Sequence, residues 1–326
     1  MNHVLKSNKT LFFAGIILFS VCFIPCLQAE EFTINIVCTN AILADFTKNL
    51  LKENLSIDYI MPAGACPTHF DASPSDISKI SSADIIISLG WEPWLTDLLE
   101  NSGNTNYSEI KCSQLGEWNI PSGAKKYVET IREGLSTIFP NLNETIQENS
   151  REYIKQINTT SEDIQKMVET NGFTGKKLIC MEWHRDFLEW LGFNITCYYA
   201  SPERLSTQDM LNVTYAASDG GVCAIIDNLQ SGTDFGAHIA SESGTNHLIF
   251  TNFPGAVPNT DTYLDMITYN TQQLVDGIST YEYKQGKIAD LESRVQVLEI
   301  ERNASLLGLV ILGLFTSILI VLYKRK

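Results

Sequence analysis

The stretch "MPAGACPTHFDASPSDISKISSADIIISLG", residues 61–90, decides how this chain folds. A Pro/Gly-rich loop carries His69, one of five histidines, between an apolar run that reads as a strand and a helix opened by Pro74, Ser75 and Asp76. "DIIISLG" then reads as a buried strand, being short, β-branched and closed by glycine. Strand, loop, helix and strand in that order make a parallel βαβ unit.

The same alternation extends both ways. Upstream, "FTINIVCTN" is strand-like, and "ILADFTKNLLKEN" spaces Ile42, Phe46, Leu50 and Leu51 as one helix face. Downstream come the helix "EPWLTDLLENS" and the strand "YSEIKCSQL". Two helices then follow without a strand between them, "SGAKKYVETIREGLSTIF" and a longer one that Gly172 ends. Alternation resumes with "KKLICM", "ITCYYA", "VCAIIDN" and "HLIFTN" as strands. The expected architecture is α/β: two similar domains with parallel sheets, residues 31–120 and 173–280, joined by linking helices at 121–172, with a ligand cleft between them. In such sheets ligands meet the loops at the carboxyl ends of strands. His69, Met181, Glu182, Asp227 and Asn252 all occupy such loops.

Both ends differ from this pattern. Residues 1–29 have a basic start, an apolar centre and a small residue at Ala29, the form of a secretory signal peptide, with an uncleaved anchor as the alternative. "ASLLGLVILGLFTSILIVLY", residues 304–323, is uncharged and long enough, at about 30 Å, to cross a bilayer as one helix. Lys324, Arg325 and Lys326 follow as a cytoplasmic tail, so everything before the span is expected outside the cell membrane. Between body and span, residues 281–303 repeat Ile288, Leu291, Val295 and Leu298 with 3-4-3 spacing, about two heptads of helical stalk through which copies can associate.

With 326 residues the chain is long enough for two domains of ordinary size. The formal net charge is −15; loss of a signal holding Lys6 and Lys9 makes it −17, and setting aside the three tail residues leaves −20 outside. Such a surface repels nucleic acid and anionic lipid. Seven Asn-x-Ser/Thr sequons lie in the outer part, at Asn54, Asn106, Asn143, Asn158, Asn194, Asn212 and Asn303, so glycosylation is open to it. The six cysteines beyond the signal, 38, 66, 112, 180, 197 and 223, allow three disulfides or buried free thiols, and Cys180 with Cys197 is the first pair to consider. No G-x-S-x-G elbow, P-loop, H-E-x-x-H or G-x-G-x-x-G motif occurs, so nothing singles out an enzyme.

Through "PAGACPTHFDASPSDISKISSADIIISLG", "EWNIPSGAKKYVETIREGL" and "IFTNFPGAVPNTDTYLDMITYNTQQLVDGI", the chain resembles the zinc/manganese class of solute-binding proteins that feed metal-ion ABC importers, over about residues 31–280. The resemblance implies capture of zinc or manganese in the cleft, small domain movements about a rigid long helix, and delivery to the permease and ATPase subunits of an importer. Four loops supply the metal ligands in that family. His69 matches the first. The second falls on Gly116, with Glu117 beside it; the third falls on Met181, with Glu182 next and His184 one turn on. The fourth, an acid in the family, is Asn252.

Two readings follow. In one, a shifted set of His69, Glu117, Glu182 and Asp227 binds a divalent transition metal, since mixed imidazole and carboxylate donors suit zinc or manganese. In the other, the cleft takes a chelated metal or an organic cofactor, with Trp183, Trp190, Asn228 and Gln230 providing stacking and amide hydrogen bonds. A structural surface glycoprotein with a degenerate cleft is a third possibility. His184, His238 and His247 sit in helix or strand patterns and read as structural, Met181 as a gap filler, and Asp227 has capping the next turn as its ordinary role.

Overall fold

A computed structural model describes residues 34–52, 55–113 and 117–325. The signal-like segment 1–29, the sequon at Asn54 and Gly116 lie outside the described residues. The first half alternates β1 (Asn35–Cys38), α1 (Ala41–Leu51), β2 (Ser56–Tyr59), α2 (Pro74–Ser81), β3 (Ile85–Ser88), α3 (Leu95–Ser102) and β4 (Ser108–Lys111). The long helices α4 (Pro121–Ile138) and α5 (Asn143–Thr170) follow. The second half runs β5 (Lys177–Met181), α6 (Arg185–Trp190), β6 (Asn194–Tyr199), α7 (Thr207–Ser218), β7 (Val222–Asn228), α8 (Asp234–Ser243) and β8 (Asn246–Phe250). One continuous helix, α9 (Tyr263–Lys324), closes the described chain.

Each half builds a four-stranded sheet, ordered β2-β1-β3-β4 and β6-β5-β7-β8, and every pairing is parallel. The α/β architecture with two parallel sheets is therefore as the alternation predicts. Local chemistry places the joints. Asn40 caps α1 by accepting the Leu43 amide at 3.1 Å. Pro74 opens α2 at a position where its missing N–H costs nothing, behind a capping box of Ser73 and Asp76. Gly172 (φ +70°) takes the left-handed turn just after α5, a conformation that disfavours a side chain.

The main apolar core is shared between the halves. It joins Ile36, Phe46 and Ile86 of the first half through Ile131 and Ile157 of the long helices to Cys180, Phe187 and Phe250 of the second. A smaller cluster around Ile179, Tyr199 and Ile225 fills the other face of the second sheet. Phe46 is a hub, its ring 5.3–6.3 Å from those of Tyr127, Tyr153 and Tyr263, and so touches α4, α5 and α9 together. Beside it, buried Asp45 accepts from the Tyr153 hydroxyl at 2.9 Å and the Tyr263 amide at 3.1 Å. One carboxyl thus ties α1 to α5 and to the start of α9.

Among the described residues there is no disulfide, and all six thiols there are free. For Cys180 and Cys197 the register gives the reason. Ile179 stands opposite Cys197, and Cys180 opposite Tyr198, so the two sulfurs point to opposite faces of the sheet. Cys180 lies in the shared core, whereas Cys197 packs against the smaller cluster.

Candidate functional site

Between the halves lies a cavity of about 600 Å³, walled by loops from the carboxyl ends of strands in both sheets. The first half contributes the loop after β2. Its turns close through Ala65 N–H to Pro62 and His69 N–H to Cys66, at 2.9 and 3.1 Å, which presents an exposed His69 to the cavity. Trp94 holds that loop from behind: its indole N–H donates to the Pro67 carbonyl at 3.2 Å, and Phe70 packs edge-on against its ring at 4.9 Å.

The second contribution comes from the segment before α4. Glu117 reaches the cavity wall, and burial pushes its carboxyl up to about 7, with nearby Asp186 adding to the effect. Gly123 allows the approach of α4, because a Cβ there would fall 1.8 Å from the Glu117 carbonyl oxygen. Next to Glu117, Trp118 and Asn119 cross to the second half. The Trp118 indole donates to the Asn252 carbonyl at 2.9 Å, and the Asn119 amide donates to the Asn252 side-chain oxygen at 2.8 Å.

From the second half come Trp183, Glu203, Arg204, Asn228, Gln230 and Asn252. Gln230 is fully engaged. Its amide donates to the Ala63 carbonyl (2.8 Å) and the Thr251 hydroxyl (2.9 Å), while its oxygen accepts from the Asn252 amide (3.2 Å). Asn228 is engaged too, with its oxygen accepting the Gln230 and Ser231 amides and its nitrogen donating to His184 Nε2 at 3.2 Å. These amides bind the cavity floor together, and Asn228 keeps one amide hydrogen beyond the one it gives to His184. Both amides nevertheless line the cavity, as does Trp183, which is 37% exposed.

Two expected metal donors stand elsewhere. Asp227 is wholly buried on the far face of its sheet, accepting from the Tyr199 hydroxyl at 2.5 Å and paired with His247 Nε2 at 2.8 Å. Strand alternation sends it to the side of Ile225, where Gly236 of α8 packs against its carboxylate. Glu182 lies off the cavity wall, its carboxylate held by Arg204, whose guanidinium also lies over the Trp183 ring at 5.9 Å. Trp190 stacks on Phe187 against the main core and does not reach the cavity. Met181 fills core, as expected. His184 is buried and held neutral, its imidazole pushed down to about 3 by desolvation. With Nε2 accepting from Asn228, the ring proton sits on Nδ1, which has no partner.

One acid on the wall escaped the sequence. Glu203, after β6, is held below the usual carboxylate range by hydrogen bonds from Ser201 and its own backbone, with His69 across the cleft adding to the effect. Its signal was available: "ITCYYASPER" places an acid just beyond a strand's carboxyl end. The cavity therefore brings together His69, Glu117 and Glu203 from three loops, framed by Trp91, Trp118, Trp183 and Phe253. Among the described residues no group of three His, Cys, Asp or Glu side chains is close enough to hold a metal ion by itself.

The chain compares closely with known binding proteins. It is 26% identical over 266 residues to the manganese-binding lipoprotein MntA of Halalkalibacterium halodurans, covering 76% of this chain and 89% of that one. It is 27% identical to the manganese ABC transporter substrate-binding lipoprotein PsaA of Streptococcus pneumoniae, over 45% of this chain and 55% of that one. The solved periplasmic metal binding protein from Candidatus Liberibacter asiaticus superposes with a TM-score of 0.64 at 17% identity, over 76% of this chain and all of that one, which shows a common fold. The model of the family described as zinc-uptake complex component A, periplasmic, matches residues 36–277, well over half of the chain. This chain belongs to that family, the substrate-binding components of metal-ion ABC importers, and is a binding protein and not an enzyme.

Proposed function

We propose that this chain captures a divalent transition metal of the manganese/zinc class in the cleft between its halves and delivers it to the permease of an ABC importer. The observation that supports this reading is that His69, Glu117 and Glu203 all line one cavity, beyond the carboxyl ends of strands. Imidazole and carboxylate donors suit these ions. MntA and PsaA, by their names, bind or transport manganese. The apolar end of α9, long and apolar enough to cross a membrane, would anchor the protein with its basic tail inside.

A second reading has its own observation. Three spaced donors do not close a coordination shell, while Trp91, Trp118 and Trp183 add aromatic surface to the lining of the 600 Å³ cavity. A metal that arrives with part of its shell filled by a small organic chelator fits both facts.

Metal content of the full-length chain, purified in detergent, separates the two. On the first reading the wild type carries close to one manganese or zinc per chain, and His69→Ala carries almost none. A wild type that takes up neither free ion but binds manganese offered as its citrate complex supports the second. Failure to bind in either form overturns capture in this cleft.

A further inference from the structure

Past Glu282 and Lys284, which still reach Lys176 and Asn246 of the globular body, α9 runs on with every described side chain exposed. Ile288, Leu291, Val295 and Leu298 are 48–62% exposed and stand on one stripe of the helix. A single copy leaves that stripe in water. In heptad terms Ile288 and Val295 take position a, and Leu291 and Leu298 take position d. Isoleucine or valine at a with leucine at d is the combination that packs two parallel strands in preference to three or four.

The charges beside the stripe choose a partner and a direction. Lys287 and Arg294 occupy position g; Glu292 and Glu299 occupy position e. In a parallel, in-register pair each g residue faces the e residue of the following heptad on the other strand. Lys287 then meets Glu292 of the second copy, and Arg294 meets Glu299, on both sides of the seam. An antiparallel pair would set g against g and e against e, placing lysine and arginine together and glutamate against glutamate. Within one helix Arg294 already pairs with Asp290 at 3.4 Å, but both side chains are more than half exposed, so that contact exchanges readily. Val297 and Ile300 fall outside the seam, close to the apolar run that begins at Ala304.

We infer that this chain pairs with a second copy of itself through residues 287–299, as a parallel, in-register, two-stranded coiled coil. Two heptads are few for free helices, whose first turn is costly to form. Here that turn is already formed, because the same helix begins inside the folded body at Tyr263. Anchoring both copies in one bilayer raises their effective concentration further. The pairing is independent of what the cleft binds.

The test uses the full chain in membrane vesicles, with one added cysteine at position d, Leu291→Cys or Leu298→Cys, or at the outward position f, Ser293→Cys. Unsubstituted chain measures the background from native thiols. Mild oxidation is expected to give at least tenfold more linked dimer at the d positions than at Ser293. Adding Arg294→Glu to Leu291→Cys should cut the yield several-fold, and adding Glu299→Arg as well should restore it. Single-particle mass in nanodiscs should correspond to two chains. Equal cross-linking at Leu291 and Ser293, a one-chain mass, a mass of three or more chains, or indifference to Arg294→Glu would overturn the pairing. The substituted side chains touch no part of the globular body, so misfolding does not confuse the result.

Discussion

Trp118 of the first half donates its indole N–H to the backbone carbonyl of Asn252 in the second, at 2.9 Å. The ring also packs on Tyr127 and Phe253, at 5.9 and 5.6 Å. Trp118→Phe keeps an aromatic there but leaves a buried carbonyl without its donor. We expect a loss of about 1–3 kcal/mol in urea unfolding. Unchanged stability would show that this hydrogen bond adds little to the shared core and the amide contacts that already join the halves.

Glu117 links the cleft to pH. Its carboxyl, raised from 4.5 to about 7 by burial, favours the folded state in its protonated form. That contribution is complete below the unfolded value near 4.5 and is lost as pH rises through 7. Glu117→Gln should therefore gain stability over the metal-free wild type on going from pH 5 to pH 8, by at most about 3 kcal/mol. A bound cation favours the carboxylate, so wild-type metal affinity should fall below pH 7. Parallel stability curves for the two proteins would show that Glu117 is not desolvated.

His184 acts at the acid end. Its imidazole is pushed from 6.5 down to about 3, so its contribution is present above 6.5 and is lost as pH falls toward 3. The loss amounts to about 4 kcal/mol at pH 3. His184→Phe, which retains an edge contact with Phe250, should start less stable at pH 7 because Asn228 loses its acceptor, yet fall less steeply on acidification. Equal slopes in chemical denaturation from pH 7 to pH 4 would count against a neutral buried ring.

The thiols should divide by burial. Cys66 and Cys197 are half-buried, whereas Cys38, Cys112, Cys180 and Cys223 are buried. Burial also pushes the Cys38 and Cys112 thiols up to about 12, far from the reactive thiolate. Iodoacetamide on native protein, followed by peptide mass spectrometry, should modify Cys66 and Cys197 first and the other four only after denaturation. Recovery of a peptide linking Cys180 to Cys197 would contradict the register of β5 and β6.

Much of the fold was legible because short β-branched runs such as Ile85-Ile86-Ile87, separated by capped helices, admit little besides parallel strands. The cleft was half legible for a geometric reason. Knowing that a strand ends near Asp227 does not say which face that residue takes, and one step of alternation separates it from Asn228 on the cavity wall. Glu182 looked free because its partner Arg204 lies beyond the next strand. Glu203 was missed since a lone exposed acid in a loop carries no periodicity. The amide network of Gln230, Asn252 and Asn119 joins residues far apart in sequence, and no local pattern announces it.

The unbroken helix α9 has a mechanical consequence. The segment that covers the second sheet also meets the first half, through the Asp45 carboxyl and the Phe46 ring at Tyr263, so both halves ride on one helix that continues to Lys324. The azimuth of the cleft is likewise keyed to helix phase. One residue inserted between Arg302 and Ala304 would swing the body by about 100° about the rod's axis, without altering a single contact in the cleft.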